Sequence, residues 1–226
     1  MDDLISLFYP EACAACGTLL HRNEDTVCLS CRFLLPDTGY EHVADNPVAR
    51  IFWGRIRFEQ VVAIYFFSKK GKMQHLIHEL KYKGNRDAGL FLGREMGKRL
   101  AGSALFGSID YLVPVPLHPR RESKRGYNQS EVIARGIVKE TGWKMDTTNL
   151  IRAGATETQT RKSRSARWDN VKDIFQLQNP ERFSGKHVLL IDDVITTGST
   201  LEACALALSG AENIRVSVAA AACATN

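Results

Sequence analysis

Apolar positions along this chain switch repeatedly between strand-like runs and helical spacing, and that alternation predicts the fold class. Val61 to Phe67 is a continuous apolar run of strand length, and Met73, Leu76, Ile77 and Leu80 follow it at helical intervals. Lys81-Tyr82-Lys83-Gly84 then ends the helix with the bases and glycine that a C-terminus favours. A second helix is predicted over Ala88 to Leu100, weakened by Gly89, Gly93 and Gly97. Tyr111 to Val115 reads as a short strand, and Ser130 to Glu140 as a helix with Val132, Ile133, Ile137 and Val138 on one face. Val188 to Ile191 is a strand, Leu201 to Leu208 its helix, and Ile214 to Ala221 a further strand; Asp37 to Pro47 reads as a polar linker. Repeated strand-helix-strand units predict an α/β fold, a mostly parallel twisted sheet with flanking helices. Ligands on such sheets sit beyond the carboxyl ends of the strands.

At 226 residues, 44% apolar and 24% charged, the chain can bury one sizeable core and carry a small extra module. No apolar stretch is long enough to cross a bilayer, and Asp2 and Asp3 stand where a secretory sequence would have bases. The expectation is a cytoplasmic protein without membrane insertion. Four of the six cysteines form two CxxC pairs, Cys13 with Cys16 and Cys28 with Cys31. In a reducing compartment this pattern points to a metal and away from disulfides. Four thiolates suit a structural zinc ion that supplies folding energy, with iron as the alternative occupant. Because cysteine fills every ligand position, no coordination site is left for catalysis. The expected organisation is a metal module over residues 1–45 and an α/β domain over 46–226. Cys204 and Cys223 read as small buried hydrophobes.

The net charge of +5 is modest but unevenly spread. Arg120, Arg121, Lys124 and Arg125 face only Glu122 in sequence, and six bases face two acids between Arg152 and Lys172. Such stretches bind polyanions, and charge alone separates neither pyrophosphate nor nucleic acid from the other. Chemistry is more specific after Val188 to Ile191. That strand runs into Asp192, Asp193, Val194 and Ile195, then Thr196, Thr197, Gly198, Ser199 and Thr200, where a helix opens. Hydroxyls, free backbone N–H groups and a glycine at a helix start suit a phosphate monoester. The two acids suit sugar hydroxyls and a hydrated magnesium ion. A helix merely capped by Thr or Ser would account for one or two of these residues but not for the ordered run. The run resembles the phosphoribosyl pyrophosphate (PRPP) binding motif of the type I phosphoribosyltransferases.

Val113 to Arg121 is a strand that leaves the sheet through three prolines into Arg120 and Arg121, which can hold a diphosphate by forked hydrogen bonds. Arg125-Gly126-Tyr127-Asn128-Gln129 follows and opens a helix, with Asn128 as its cap. Together with the double CxxC and Leu80 to Gly84, these motifs resemble the ComF family of competence-associated phosphoribosyltransferase-like proteins, which includes the GntX type. Tyr127 stands where phenylalanine is more often expected. Arg152, Thr156, Gln159, Arg167, Asn170, Val171 and Phe175 fall in the family's order, and the resemblance implies a lid over Thr156 to Arg167, against an ordinary surface loop.

The resemblance implies displacement at the ribose anomeric carbon with pyrophosphate leaving. Thr196 to Thr200 would take the 5′-phosphate, and Asp192 and Asp193 the ribose hydroxyls with magnesium nearby. Arg120 and Arg121 would hold the pyrophosphate, Lys81 or Lys83 would assist, and Arg125 joins the PRPP-binding set. His118 is a candidate base, more simply read as a bystander. No base-recognition hood is identifiable, so the acceptor stays open. The family further implies a role in natural transformation through single-stranded DNA and a partner helicase. The alternative class is a nucleic-acid-binding adaptor that keeps the fold and senses PRPP without turnover.

Overall fold

A five-stranded, wholly parallel sheet forms the centre of the computed structural model, which describes residues 11–153 and 174–224. Its strands are β1 (Val61–Phe67), β2 (Tyr111–Pro114), β3 (Lys144–Met145), β6 (His187–Ile195) and β7 (Arg215–Ala224), in the order β1-β7-β6-β2-β3. A short antiparallel pair, β4 (Leu150–Arg152) and β5 (Phe175–Leu177), lies apart. The helices are α1 (Leu29–Phe33), α2 (Pro47–Arg50), α3 (Lys72–Tyr82), α4 (Arg86–Ala101), α5 (Pro119–Arg125), α6 (Gln129–Thr141) and α7 (Ser199–Leu208). Among the described residues no helix is long and apolar enough to cross a membrane.

A parallel sheet is covered on both faces, so its strands need apolar side chains at every position, divided by the period of two. Leu189 and Ile191 of β6 join one core cluster with Met73, Leu76 and Leu80 of α3, Leu92 and Met96 of α4, and Ile133 and Ile137 of α6. Val188 and Leu190 join the other, with Leu201, Cys204 and Leu208 of α7 and Val48 of α2. Ile64 and Ala63 of β1 divide the same way.

Four sequence expectations change. The three glycines do not weaken α4 but let it approach α6. A Cβ at Gly93 would lie 2.0 Å from the Ile133 carbonyl oxygen, and one at Gly136 would lie 2.6 Å from that of Leu90. Asp37 to Pro47 is not a free linker. Asn46 is buried, donates to the carbonyls of Val43 and Val61 at 2.8 Å each, and accepts from the N–H groups of Val48 and Ala49. The run through Pro119 is a helix. Proline sits in its first turn, where its missing N–H costs nothing, and His118 Nδ1 caps it by accepting from the Arg120 N–H at 3.1 Å. Finally, β6 does not stop at Ile191 but keeps pairing with β7 through Ile195, so both acids lie within the strand.

Other expectations stand. Gly84 ends α3 region with φ +73, and the Asn128 side chain caps α6 by accepting from the Ser130 N–H at 3.0 Å. Met1 to Pro10 lies outside the described residues, as do Thr156, Gln159, Arg167, Asn170 and Val171 and with them the expected lid.

Gly93→Ala should destabilise the protein by about 3 kcal/mol in urea denaturation, because its methyl group meets backbone rather than a movable side chain. Gly107→Ala, where the nearest neighbour of a Cβ would be the Ala104 carbonyl oxygen at 3.7 Å, should be near neutral. Equal, near-neutral effects would show that the α4–α6 approach does not require glycine at 93.

Candidate functional site

A cleft of about 590 Å³ opens at the carboxyl ends of β1, β2 and β6. The two acids, consecutive on β6, both line it. Asp193, buried, meets α3, whose Lys81 Nζ lies 2.9 Å from each carboxylate oxygen. Asp192 accepts at Oδ1 from the Ser130 hydroxyl at 3.2 Å and from the Asp193 N–H at 2.8 Å. Burial first, and then the neighbouring Asp193 charge, push the Asp192 carboxyl up to about 7. Burial, and after it the nearby Asp192, hold the Cys204 thiol on α7 well above its ordinary range.

The hydroxyl loop follows directly. Thr196 and Thr200 line the cleft, whereas Thr197, Gly198 and Ser199 do not. Thr197 Oγ1 and Ser199 Oγ instead lie 3.0 Å apart. Gly198 has φ +78, and a Cβ there would lie 2.4 Å from Phe52 Cε1, so both the left-handed backbone and the packed ring require glycine. Arg55 holds the loop from behind. Its Nη1 donates to the Thr197 carbonyl at 3.1 Å, and its Nη2 donates to Glu202 Oε2 of α7 at 2.6 Å.

Guanidinium groups supply the facing wall. α5 directs Arg121 and Arg125, one helical turn apart, into the cleft. Arg120 and Lys83 do not line it, and the His118 imidazole is occupied as a helix cap. Arg152, half-buried, also lines the cleft and lies 5.3 Å from the Phe175 ring centre. Burial, and then Arg121 nearby, lower its affinity for a proton. It remains a cation, in surroundings that favour an anion. Tyr127 explains its own departure from phenylalanine. Its hydroxyl donates to the Leu80 carbonyl, fastening the start of α6 to the helix turn that carries Lys81.

Arg152, Ser130, Arg55 and Phe52 were not candidates in the sequence. Arg152 had a visible signal, a base in the family's order beside Phe175. Arg55 and Phe52 had none, since both act on a loop more than a hundred residues away.

The four N-terminal cysteine sulfurs lie within 4.8 Å of one another, Cys13, Cys28 and Cys31 buried and Cys16 exposed. Gly17 has φ +77, the Cys28 N–H points at Cys13 Sγ from 3.3 Å, and the Cys31 N–H points at Cys28 Sγ from 3.4 Å. Such donors suit thiolates. Hydrogen bonding to Thr18 brings the Cys16 thiol down to about 6, while burial and the crowded neighbouring sulfurs drive Cys31 up. Four sulfurs this close cannot all ionise without a cation, and the set could hold a tetrahedral metal ion such as zinc. The group joins the main core through Cys13, Val27, Cys31 and Leu35, and ion pairs Arg32–Glu95 (2.5 Å) and Arg94–Asp25 (3.3 Å) bind it to α4.

Two expectations follow. The stability linked to Asp192 is full below about pH 4 and lost as pH rises through about 7, because the raised pKa favours the protonated folded form. Asp192→Asn should therefore gain stability over the parent between pH 5 and pH 8, by about 2 kcal/mol in urea midpoints; a constant difference would mean that the carboxyl ionises at no cost. Purified protein should carry one zinc ion per chain by elemental analysis, and Cys31→Ser should lose it; full zinc content in that variant would remove Cys31 from the ligand set.

Residues 88–225 match the phosphoribosyl transferase domain family. The DNA utilization protein YhgH of Salmonella typhi is 34% identical over 149 residues, covering 62% of this chain and 63% of that protein's length. The protein of the same name from Escherichia coli K12 is 30% identical over 195 residues, 84% of this chain and 80% of its own. Competence protein F of Haemophilus influenzae is 38% identical over 112 residues, 46% and 47% of the two chains. With a type I phosphoribosyltransferase fold, clustered N-terminal cysteines and relatives of this kind, the chain belongs to the ComF family.

Proposed function

We propose that the chain binds PRPP with magnesium in the cleft and transfers its phosphoribosyl group to an acceptor, releasing pyrophosphate. One observation carries this reading: a hydroxyl loop, an acid pair held by Lys81 and Ser130, and three guanidiniums share a single cleft. Acids suit sugar hydroxyls and guanidiniums suit a diphosphate, so each part of such a ligand has a partner of the right kind in the cleft.

In this reading Thr196, Thr200 and the N–H groups at the start of α7 take the 5′-phosphate, with Thr197 and Ser199 hydroxyls shaping the loop behind them. Asp192 and Asp193 accept hydrogen bonds from the ribose hydroxyls, and Lys81 keeps the Asp193 carboxylate oriented until they arrive. Arg121 and Arg125 hold the pyrophosphate, joined by Arg152; Arg120 and Lys83 stay outside. The acceptor's lone pair forms the new bond to the anomeric carbon while the bond to the pyrophosphate oxygen breaks, and the leaving group departs with that electron pair. The sugar becomes cation-like on the way. The oxygen donors of the acid pair suit a hard cation, and magnesium, when bound, would neutralise charge developing on the leaving group. The names of the relatives, DNA utilization and competence, make DNA-derived amines and bases the first acceptors to screen.

A second reading, a nucleic-acid-binding adaptor that senses PRPP without turnover, draws support from a basic cavity of about 460 Å³ beside the cleft. Arg121, Lys124 and Arg125 line it, with no acid among the residues of its wall.

Calorimetry with PRPP, with and without magnesium, tests the first reading. Binding should need the metal and weaken about a hundredfold in the Asp192→Asn, Asp193→Asn double variant, the loss of ~3 kcal/mol in charged hydrogen bonds. Absence of PRPP binding in a folded, zinc-loaded sample would sink it, and salt-sensitive binding of single-stranded DNA by that sample would put the adaptor first.

A further inference from the structure

We propose that a second cavity, on the flank of β1, binds a nucleoside monophosphate. It encloses about 550 Å³ between α2 and the start of β1, and shares none of its described lining residues with the cleft. Pockets of this size take small planar ligands when they combine aromatic walls with a few polar groups. Here Phe52 and Phe58 meet edge to face with ring centres 4.9 Å apart. Trp53 beside them is 62% exposed. The Arg50 guanidinium lies 5.6 Å from the Trp53 ring centre and is anchored by Asp45 at 2.9 and 3.0 Å. It covers part of the indole, whose remaining exposed surface is what a planar ring would stack on.

The polar groups of the cavity suit the rest of a nucleotide. Arg57 is exposed, lines the cavity and has no ion-pair or hydrogen-bond partner among the described residues, so its charge is available to one phosphate. Glu59 and Gln60 line the same wall and offer a carboxylate and an amide to the hydrogen-bonding edge of a base. A bare phosphate would leave the aromatic wall unused, and a nucleoside would leave Arg57 unpaired. A cavity of this size with one cation that has no partner among the described residues suits one nucleotide rather than a strand.

This cavity also backs onto the hydroxyl loop. Arg55 forms part of its wall while donating to the Thr197 carbonyl at 3.1 Å, and Phe52 is the ring against which Gly198 packs. A ligand that draws on Arg55 therefore changes how the loop is held, and by linkage the loop's own ligand changes the cavity's affinity by the same factor.

Calorimetry on the full chain with AMP, adenosine and inorganic phosphate as separate probes tests the binding. AMP should bind at one site, and adenosine and phosphate at least about tenfold more weakly. Trp53→Ala and Arg57→Ala, both exposed positions, should each weaken AMP at least about tenfold, while the Asp192→Asn, Asp193→Asn double variant leaves it unchanged. No AMP binding at millimolar concentration overturns the proposal. So does affinity that falls in the acid double variant and not in Arg57→Ala, since the nucleotide would then occupy the cleft. Amide hydrogen exchange tests the link without PRPP: AMP should change exchange at Thr197 to Thr200 in the parent and not in Arg55→Gln. Equal exchange in the parent with and without AMP would remove the link.

Discussion

Two carboxylates at the end of a buried strand have to be compensated from outside that strand, and the arrangement of the cleft follows from how this is done. β6 stays paired with β7 through Asp192 and Asp193, so neither acid can turn away into solvent as a loop residue would. Asp193 takes its compensation from Lys81 on α3, and Asp192 takes part of its own from Ser130 on α6. α3 must therefore end, and α6 begin, at the same edge of the sheet. The core enforces this by setting α3, α4 and α6 on one face, with α4 and α6 drawn together over a glycine contact that no larger residue would permit. Burying an ion pair returns little net stability. What it fixes here is position.

The elements of the fold were legible because a two-faced parallel sheet writes its strands as apolar runs and its helices as periodic ones. Val61 to Phe67 and the α3 positions needed no tertiary information. β3, β4 and β5 have two or three residues each and carry no period to read. The glycines of α4 misled because propensity describes an isolated helix, while their purpose lies on α6. In Asp37 to Pro47 polarity does not mean solvent exposure, because Asn46 spends its polar atoms on backbone groups beside β1.

The candidate site divides in the same way. Hydroxyls, glycine and acids lie adjacent in sequence, so their order could be read as a phosphate loop. Which bases face them could not, because a run of four cations on a short helix points in several directions. Helix geometry selects Arg121 and Arg125 and turns Arg120 aside. Arg152 arrives from a different strand, and Arg55 and Phe52 come from the far side of the loop. Contacts of that kind depend on the whole topology. Membership of the ComF family accounts for the shared framework; the cleft is lined by side chains from β6 and its loop, α3, α5, α6 and β4.

α5 contributes two of those arginines yet buries none of its own residues; the His118 side chain caps one end, and at the other the Gly126 carbonyl accepts from Arg86 Nη2 of α4 at 2.9 Å. The acids stand on the central strand of a packed sheet. One wall of the cleft is thus set by the core and the facing wall by contacts at the surface, among them the Arg125 guanidinium 5.8 Å from the Tyr82 ring centre of α3. A cleft built this way takes the positions of its acids from one part of the fold and those of its cations from another, so a substitution in the core and one at the surface reach different walls.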